Sequence, residues 1–247
     1  MKSIAEKASG KEVYKRLEES INPDWREYVV LVADKLDGDK HPFAILAAII
    51  LSQNTSDKNS IKAYYRLREI IGVSPEAILE APLDKLVEAI RPAGLPNQKA
   101  RSLKEAAKRI LEAGGEHILL EMPWEKLREF LLSIPGVGEK TADVFLSVKR
   151  RAPVFAVDTH AMRIAKRWGL VPPNAGYREV SRALLEFFGP EKSEEAHRLI
   201  IALGRKYCRA RNPLCSECPL RDICPKIGVK EAEQKSPAMP RQLSSRG

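Results

Sequence analysis

The first 207 residues of this 247-residue chain contain no cysteine, so no disulfide framework supports the bulk of the fold. Long apolar runs are missing as well. The longest covers residues 43–51, far too short to span a bilayer, and charged residues stand at the N-terminus where a signal peptide needs an apolar stretch. The expectation is a cytoplasmic protein with no membrane partner. Sustained apolar/polar alternation is also absent, which argues against half-buried strands. Aromatic residues are few, at 6%, yet the hydrophobic share of 44% suffices for one large core or two lobes.

What is present reads as all-α. Gly/Pro punctuation separates segments whose apolar residues recur at helical spacing. The pattern predicts helix over residues 43–51 running on through 59–71, then over 83–90, 98–113, 123–132, 140–149, 159–168, 177–188 and 193–208. In the 140–149 segment Thr141, Val144, Phe145 and Val148 share one face, leaving Lys140 free in the first turn. Residues 227–247 are rich in Ser, Pro, Gln and charge, offer no apolar face, and are expected to be disordered.

The net charge of +9 is unevenly distributed. Residues 139–168 hold seven Lys/Arg against three Asp/Glu, and residues 197–227 hold seven against two. These stretches contribute +4 and +5, leaving the rest neutral. A solvated face accounts for any single basic run, but both coincide with the motifs below, which points to a phosphate-bearing partner.

All four cysteines lie within seventeen residues: Cys208, Cys215, Cys218 and Cys224. A cytoplasmic chain with ample core has little use for two disulfides in one loop, so they read as a ligand set. Four thiolates suit tetrahedral zinc, but zinc ribbons usually show two CxxC pairs, and here only Cys215 and Cys218 form one. The wide, unequal gaps suit an iron-sulfur cluster better. The loop between Cys208 and Cys215 carries Arg209 and Arg211, cations that a metal-held loop presents rigidly to DNA.

The segment Ile134-Pro135-Gly136-Val137-Gly138-Glu139-Lys140-Thr141-Ala142 lies between two expected helices and reads as a helix-hairpin-helix. Its glycines allow a tight turn and close approach of a DNA backbone, while the free N–H groups of the second helix suit a phosphate. A plain glycine cap explains one of the two glycines, but not the pair. Lys140 follows directly, as a candidate nucleophile. Asp158, at the end of Phe155-Ala156-Val157-Asp158-Thr159-His160, reads as a helix N-cap that can also face a reactive centre. His160 is either a pocket contact or a packed histidine.

These motifs, in this order and spacing, resemble the endonuclease III family of helix-hairpin-helix DNA glycosylases over roughly residues 25–226. The resemblance implies two helical lobes flanking a DNA-binding cleft: a six-helix barrel over 42–151, and a cluster lobe formed by 152–226 with N-terminal helices from 1–41. It implies a [4Fe-4S] cluster on the four cysteines, and double-stranded DNA with damaged bases or abasic sites as partner of a monomeric enzyme. Lys140 matches the lysine that attacks C1′ of a flipped nucleotide before β-elimination nicks the strand, and Asp158 matches the assisting carboxylate. Leu95 matches the apolar wedge that fills the vacated base stack. The polar filler is Gln53 or Asn54, because the family often has Gln where Asn54 stands. Ser52, Asp57 and His160 fall in the implied pocket, and Gly136, Val137 and Gly138 among the DNA contacts. The implied activity is a bifunctional glycosylase and abasic-site lyase acting on oxidised or ring-saturated pyrimidines. A mismatch glycosylase more often carries Tyr or Ser where Lys140 stands, and a non-catalytic damage-binding protein has no need of Lys140 and Asp158 together.

Overall fold

The computed structural model describes residues 2–229, and among these the regular elements are all helical. The α-helices are α1 (Gly10–Ser20), α2 (Val29–Leu36), α3 (Phe43–Ser52), α4 (Asp57–Ile70), α5 (Pro75–Glu80), α6 (Leu83–Ile90), α7 (Pro96–Glu112), α8 (Ile118–Glu121), α9 (Trp124–Ser133), α10 (Glu139–Arg150), α11 (Thr159–Arg167), α12 (Tyr177–Phe188) and α13 (Ser193–Lys206). Short 3₁₀ turns join several of them. No described helix is long and apolar enough to cross a membrane.

A helix that is apolar all round has to be buried. Residues 43–51 of α3 are each 3% exposed or less, and α2 and α4 to α10 contribute to the core around them. A second core joins α1 to α11, α12 and α13, with Trp168 at its centre and Leu220 and Ile223 of the cysteine loop closing it. The two cores meet along the extended segment 152–157. Ala152, Val154 and Ala156 face the first core, while Phe155 and Val157 face the second. This is the period-two alternation of extended backbone, hidden from a polarity pattern because both faces are apolar.

Three expectations change. The continuous helix read through residues 43–71 breaks after Ser52, because Asn54 adopts a left-handed backbone (φ 53°) and Ser56 caps a new helix by accepting the Asn59 N–H. Residues 1–41 do not pack as one unit on the second core: α1 does, but Val29, Val32 and Ala33 of α2 belong to the first. The C-terminal segment is ordered further than composition suggested. The Ile227 N–H donates to the Arg167 carbonyl at 3.0 Å, and Val229 lines the cavity of the four cysteines. The remainder of the expected disordered tail lies outside the described residues.

Because Leu46 is fully enclosed on the axis of the first core, Leu46→Ala should lower the unfolding free energy by about 2–5 kcal/mol. Leu36→Ala, at a side chain 42% exposed, should stay within about 0.5 kcal/mol. Urea denaturation of the two variants measures the contrast.

Candidate active site and cluster loop

Between α9 and α10 the hairpin turns through Gly136 at φ 88°, a conformation that favours glycine, and a Cβ there would come within 2.9 Å of Ser102 Oγ. Gly138 N-caps α10 with no side chain and has open space where a Cβ would project. The first N–H groups of α10 are therefore available to an approaching anion. Val137, expected among the DNA contacts, instead buries its side chain in the first core and donates its N–H to the Ile134 carbonyl at 3.0 Å. Its part is to anchor the hairpin.

Lys140 lies exposed in that first turn and lines a cavity of about 240 Å³ with Asp158, Ser52, Asp57, His160 and His197. The sequence motifs thus converge from α3, α4, α10 and α11 on one site. Asp158 caps α11, its Oδ1 accepting the Ala161 N–H at 2.7 Å. Burial opposes its charge, but His197, the Ala161 N–H, His160 and Lys140 outweigh burial and hold the carboxyl below its ordinary value. His197 is itself driven down to about 4, first by burial and despite Asp158, so it is uncharged at neutral pH. There, the Ala161 N–H and the Lys140 ammonium are what keep Asp158 ionised. His160 is also lowered, chiefly by burial. Its Nδ1 accepts from Arg163 Nη2 at 2.9 Å, and its ring fits against α13 only because Gly204 lacks a Cβ, which would fall 2.2 Å from that nitrogen. Ser52 turns its hydroxyl back to the Ile49 carbonyl at 2.7 Å. Asp57 pairs with Arg205 across the cavity, and the Arg205 guanidinium lies over the Tyr28 ring at 5.2 Å.

The two candidate gap-fillers differ sharply. Gln53 is tied to the hairpin, donating from Nε2 to the Gly136 carbonyl and to Thr141 Oγ1, both at 3.2 Å. Asn54 is exposed and left-handed. Leu95 is likewise left-handed (φ 49°, ψ 46°) and 54% exposed, a strained backbone carrying a large apolar side chain into solvent.

Several contributors escaped sequence reasoning. Asp143, 2% exposed on α10, takes a two-pronged contact from Arg128 (2.7 and 3.2 Å) and a hydrogen bond from the Tyr177 hydroxyl (2.9 Å). The same hydroxyl accepts the Val157 N–H at 3.3 Å. Burial and then Asp143 push Tyr177 far above its ordinary value, so it remains a donor. This chain of bonds joins the helix of Lys140 to the residue before Asp158. Asp143 lies off the apolar face formed by Thr141, Val144, Phe145 and Val148, so the sequence pattern marks neither its burial nor the part played by Tyr177.

The four cysteines form no disulfide and line one cavity beside Arg167 and Trp168. Burial pushes Cys218 up to about 11; the Leu220 N–H opposes the rise and the other three cysteines add to it. Thiols grouped so closely in apolar surroundings ionise readily only against a multivalent metal. Among the described residues no three His, Cys, Asp or Glu side chains converge tightly enough for one ion. Four thiols around one cavity, in apolar surroundings, fit the separated corners of a cluster. Arg167 donates to Cys208 Sγ (3.2 Å) and to the carbonyls of Arg209 (2.7 Å) and Ala210 (3.2 Å), pinning the loop on which Arg209 and Arg211 stand exposed.

Two helical cores, a glycine hairpin ahead of a lysine, and a thiol-lined loop define a helix-hairpin-helix DNA repair protein. Residues 47–190 match the model of the HhH-GPD superfamily of base excision DNA repair proteins, and residues 208–224 match the iron-sulfur binding domain of endonuclease III. Endonuclease III of Sulfolobus acidocaldarius is 36% identical over 215 residues, covering 86% of this chain and 94% of that protein. A trapped covalent intermediate of endonuclease III with DNA, an estranged-adenine complex, superposes with a TM-score of 0.68 at 30% identity, covering 89% of this chain and 97% of its own. A thermostable thymine-DNA glycosylase shares the fold, with a TM-score of 0.70 at 21% identity over 87% of this chain and 94% of its own. The chain belongs to the endonuclease III family. It is a DNA-binding base excision repair enzyme, a DNA N-glycosylase and abasic-site lyase with a [4Fe-4S] cofactor.

The buried His197 makes stability depend on pH. Above pH 6.5 neither folded nor unfolded chain protonates it; between 6.5 and about 4 only the unfolded chain does. Stability should fall as pH drops through that window and the histidine's contribution should level off below it. Asp158 acts lower, its contribution being lost as pH falls through its depressed value. Thermal melts across this range should show a shallower slope for His197→Gln than for the parent, and an equal slope would refute the assignment.

Proposed function

We propose that the enzyme removes oxidised or ring-saturated pyrimidines from duplex DNA and nicks the strand at the resulting site, acting as a monomer on cytoplasmic DNA. The observation that carries this reading is the meeting of Lys140 and Asp158, from the N-termini of two different helices, in one cavity between the two cores. The trapped relative's estranged adenine supports the substrate class, since adenine is the partner that a thymine-derived lesion leaves behind.

C1′ is inaccessible in stacked duplex, so the nucleotide must be extruded into the cavity. Leu95 enters the vacated stack as an apolar wedge and Asn54 meets the orphaned base, while Gln53 stays committed to the hairpin. The α10 N-terminus at Gly136–Gly138 grips phosphate, as do Arg209 and Arg211. The Lys140 ammonium first passes a proton to Asp158; the free amine then forms a bond to C1′ as the bond from C1′ to the base nitrogen breaks, and the departing base takes that proton back from Asp158. Asp158, a carboxylate once more, stabilises positive charge on the sugar. Ring opening gives a Schiff base to Lys140; loss of a C2′ proton then expels the 3′ phosphate. Ser52, Asp57 and His160 line the space around the extruded nucleotide. Cys208, Cys215, Cys218 and Cys224 would hold the cluster, which when bound supplies iron-thiolate cross-links that staple the basic loop.

Borohydride should trap wild-type enzyme on an abasic duplex and trap no Lys140→Ala enzyme. Asp158→Asn should slow base release roughly 100- to 10,000-fold. The panel should include thymine glycol, dihydrouracil, and uracil or thymine opposite guanine. Faster release from the mispaired bases than from the damaged pyrimidines would overturn the substrate assignment.

A further inference from the structure

Lys99 is the outstanding buried charge that this chemistry leaves unused. It sits in the first turn of α7, only 3% exposed, and its Nζ donates to the Leu51 carbonyl and the Ala93 carbonyl, both at 2.8 Å. Burial lowers it to about 8, with no carboxylate acting on it. A buried ammonium answered only by neutral carbonyls is a costly way to fill space that a methionine would fill.

The two carbonyls explain the expense. Leu51 closes the apolar run of α3, directly before Ser52, Gln53 and left-handed Asn54. Ala93 ends the 3₁₀ turn directly before Gly94 and left-handed Leu95. One cation thus ties together the roots of both loops whose tips are strained and exposed. A wedge driven into a base stack is pushed back with equal force, and a loop tip hinged on a left-handed residue gives way unless its root is fixed. Two charge-assisted bonds from a single atom fix both roots at one separation.

We propose that Lys99 is the positioning residue for base extrusion: its ammonium holds the Asn54 and Leu95 loops at the separation of one opened base pair. It thereby acts on the flipping step and not on bond cleavage. The inference rests on the reading of Asn54 and Leu95 as gap-fillers given above.

The test compares two substrates under single-turnover conditions: a duplex with dihydrouracil opposite adenine, whose base must be extruded, and a duplex already abasic at that position. Lys99→Met, which preserves length and apolar bulk, should slow release of dihydrouracil roughly 10- to 100-fold while nicking of the abasic duplex stays within about threefold. Leu95→Ala, which removes the wedge itself, should also slow release of dihydrouracil, and Lys99→Arg should recover part of the Lys99→Met loss. A 2-aminopurine placed beside the lesion should brighten less on binding Lys99→Met than on binding the parent. If Lys99→Met does not fold, Lys99→Gln, which keeps one donor arm, carries the same comparison. Equal losses on both substrates, or no loss on either, would sink the role for Lys99. If Leu95→Ala and Asn54→Ala both release dihydrouracil at the rate of the parent enzyme, the gap-filler reading fails instead.

Discussion

The structure depends on one extended segment, residues 152–157, squeezed between two apolar cores. A chain crossing such a boundary has no water to satisfy its backbone, and here α12 supplies part of what is needed. The Tyr177 hydroxyl accepts the Val157 N–H, and the Ser181 hydroxyl donates to the Phe155 carbonyl at 2.7 Å. Alternate side chains lock into opposite cores, so a slip of one residue would turn every one of them the wrong way. That register delivers Asp158 to the cavity. The bond from Tyr177 to Asp143 then references the same register to α10, and therefore to Lys140 one turn earlier. The two groups proposed for catalysis, on separate helices, are thus held by packing and buried hydrogen bonds, with no direct bond between them required.

Helix α11 gives the cluster a mechanical relation to this site. Its N-terminus is the Asp158 cap and its last turn presents Arg167, which holds Cys208 Sγ and two carbonyls of the basic loop. Asp158 and Arg167 sit at opposite ends of these nine residues, so a single helix links the position of the cysteine loop to that of the carboxylate in the cavity.

Much of this was legible in the sequence, for reasons that particular residues make plain. Helical periodicity marked 83–90 and 177–188 to the residue, since a strongly one-sided apolar face leaves little choice of boundary. Lys140, Asp158 and the cysteines stood out because the chemistry proposed for them needs those residue types at those spacings, and the fold brings Lys140 and Asp158 to one cavity and the four cysteines to another. What escaped were features that only tertiary structure creates. Asn54 and Leu95 are left-handed although neither is glycine, and nothing local marks Lys99 as buried. His197 gives no local sign that it lies beside Asp158, because α13 meets α11 only after the second core has closed. Val137 misled in the other direction, its apolar side chain serving the core and not the ligand.

The second core also has a history written into it. Its members are residues 4–21 and residues 155–223, separated in sequence by the whole of the first core. The Ile4 N–H bonds to the Trp168 carbonyl at 2.8 Å, and Arg16 reaches Asp222 at 2.8 Å. In chain order the partners that α1 needs, α11 to α13, follow the whole of the first core, so that core can close while the second still lacks most of its members. Leu220 and Ile223 complete the second core from within the cysteine loop, so the gathering of the four thiols and the docking of α1 belong to one and the same closure.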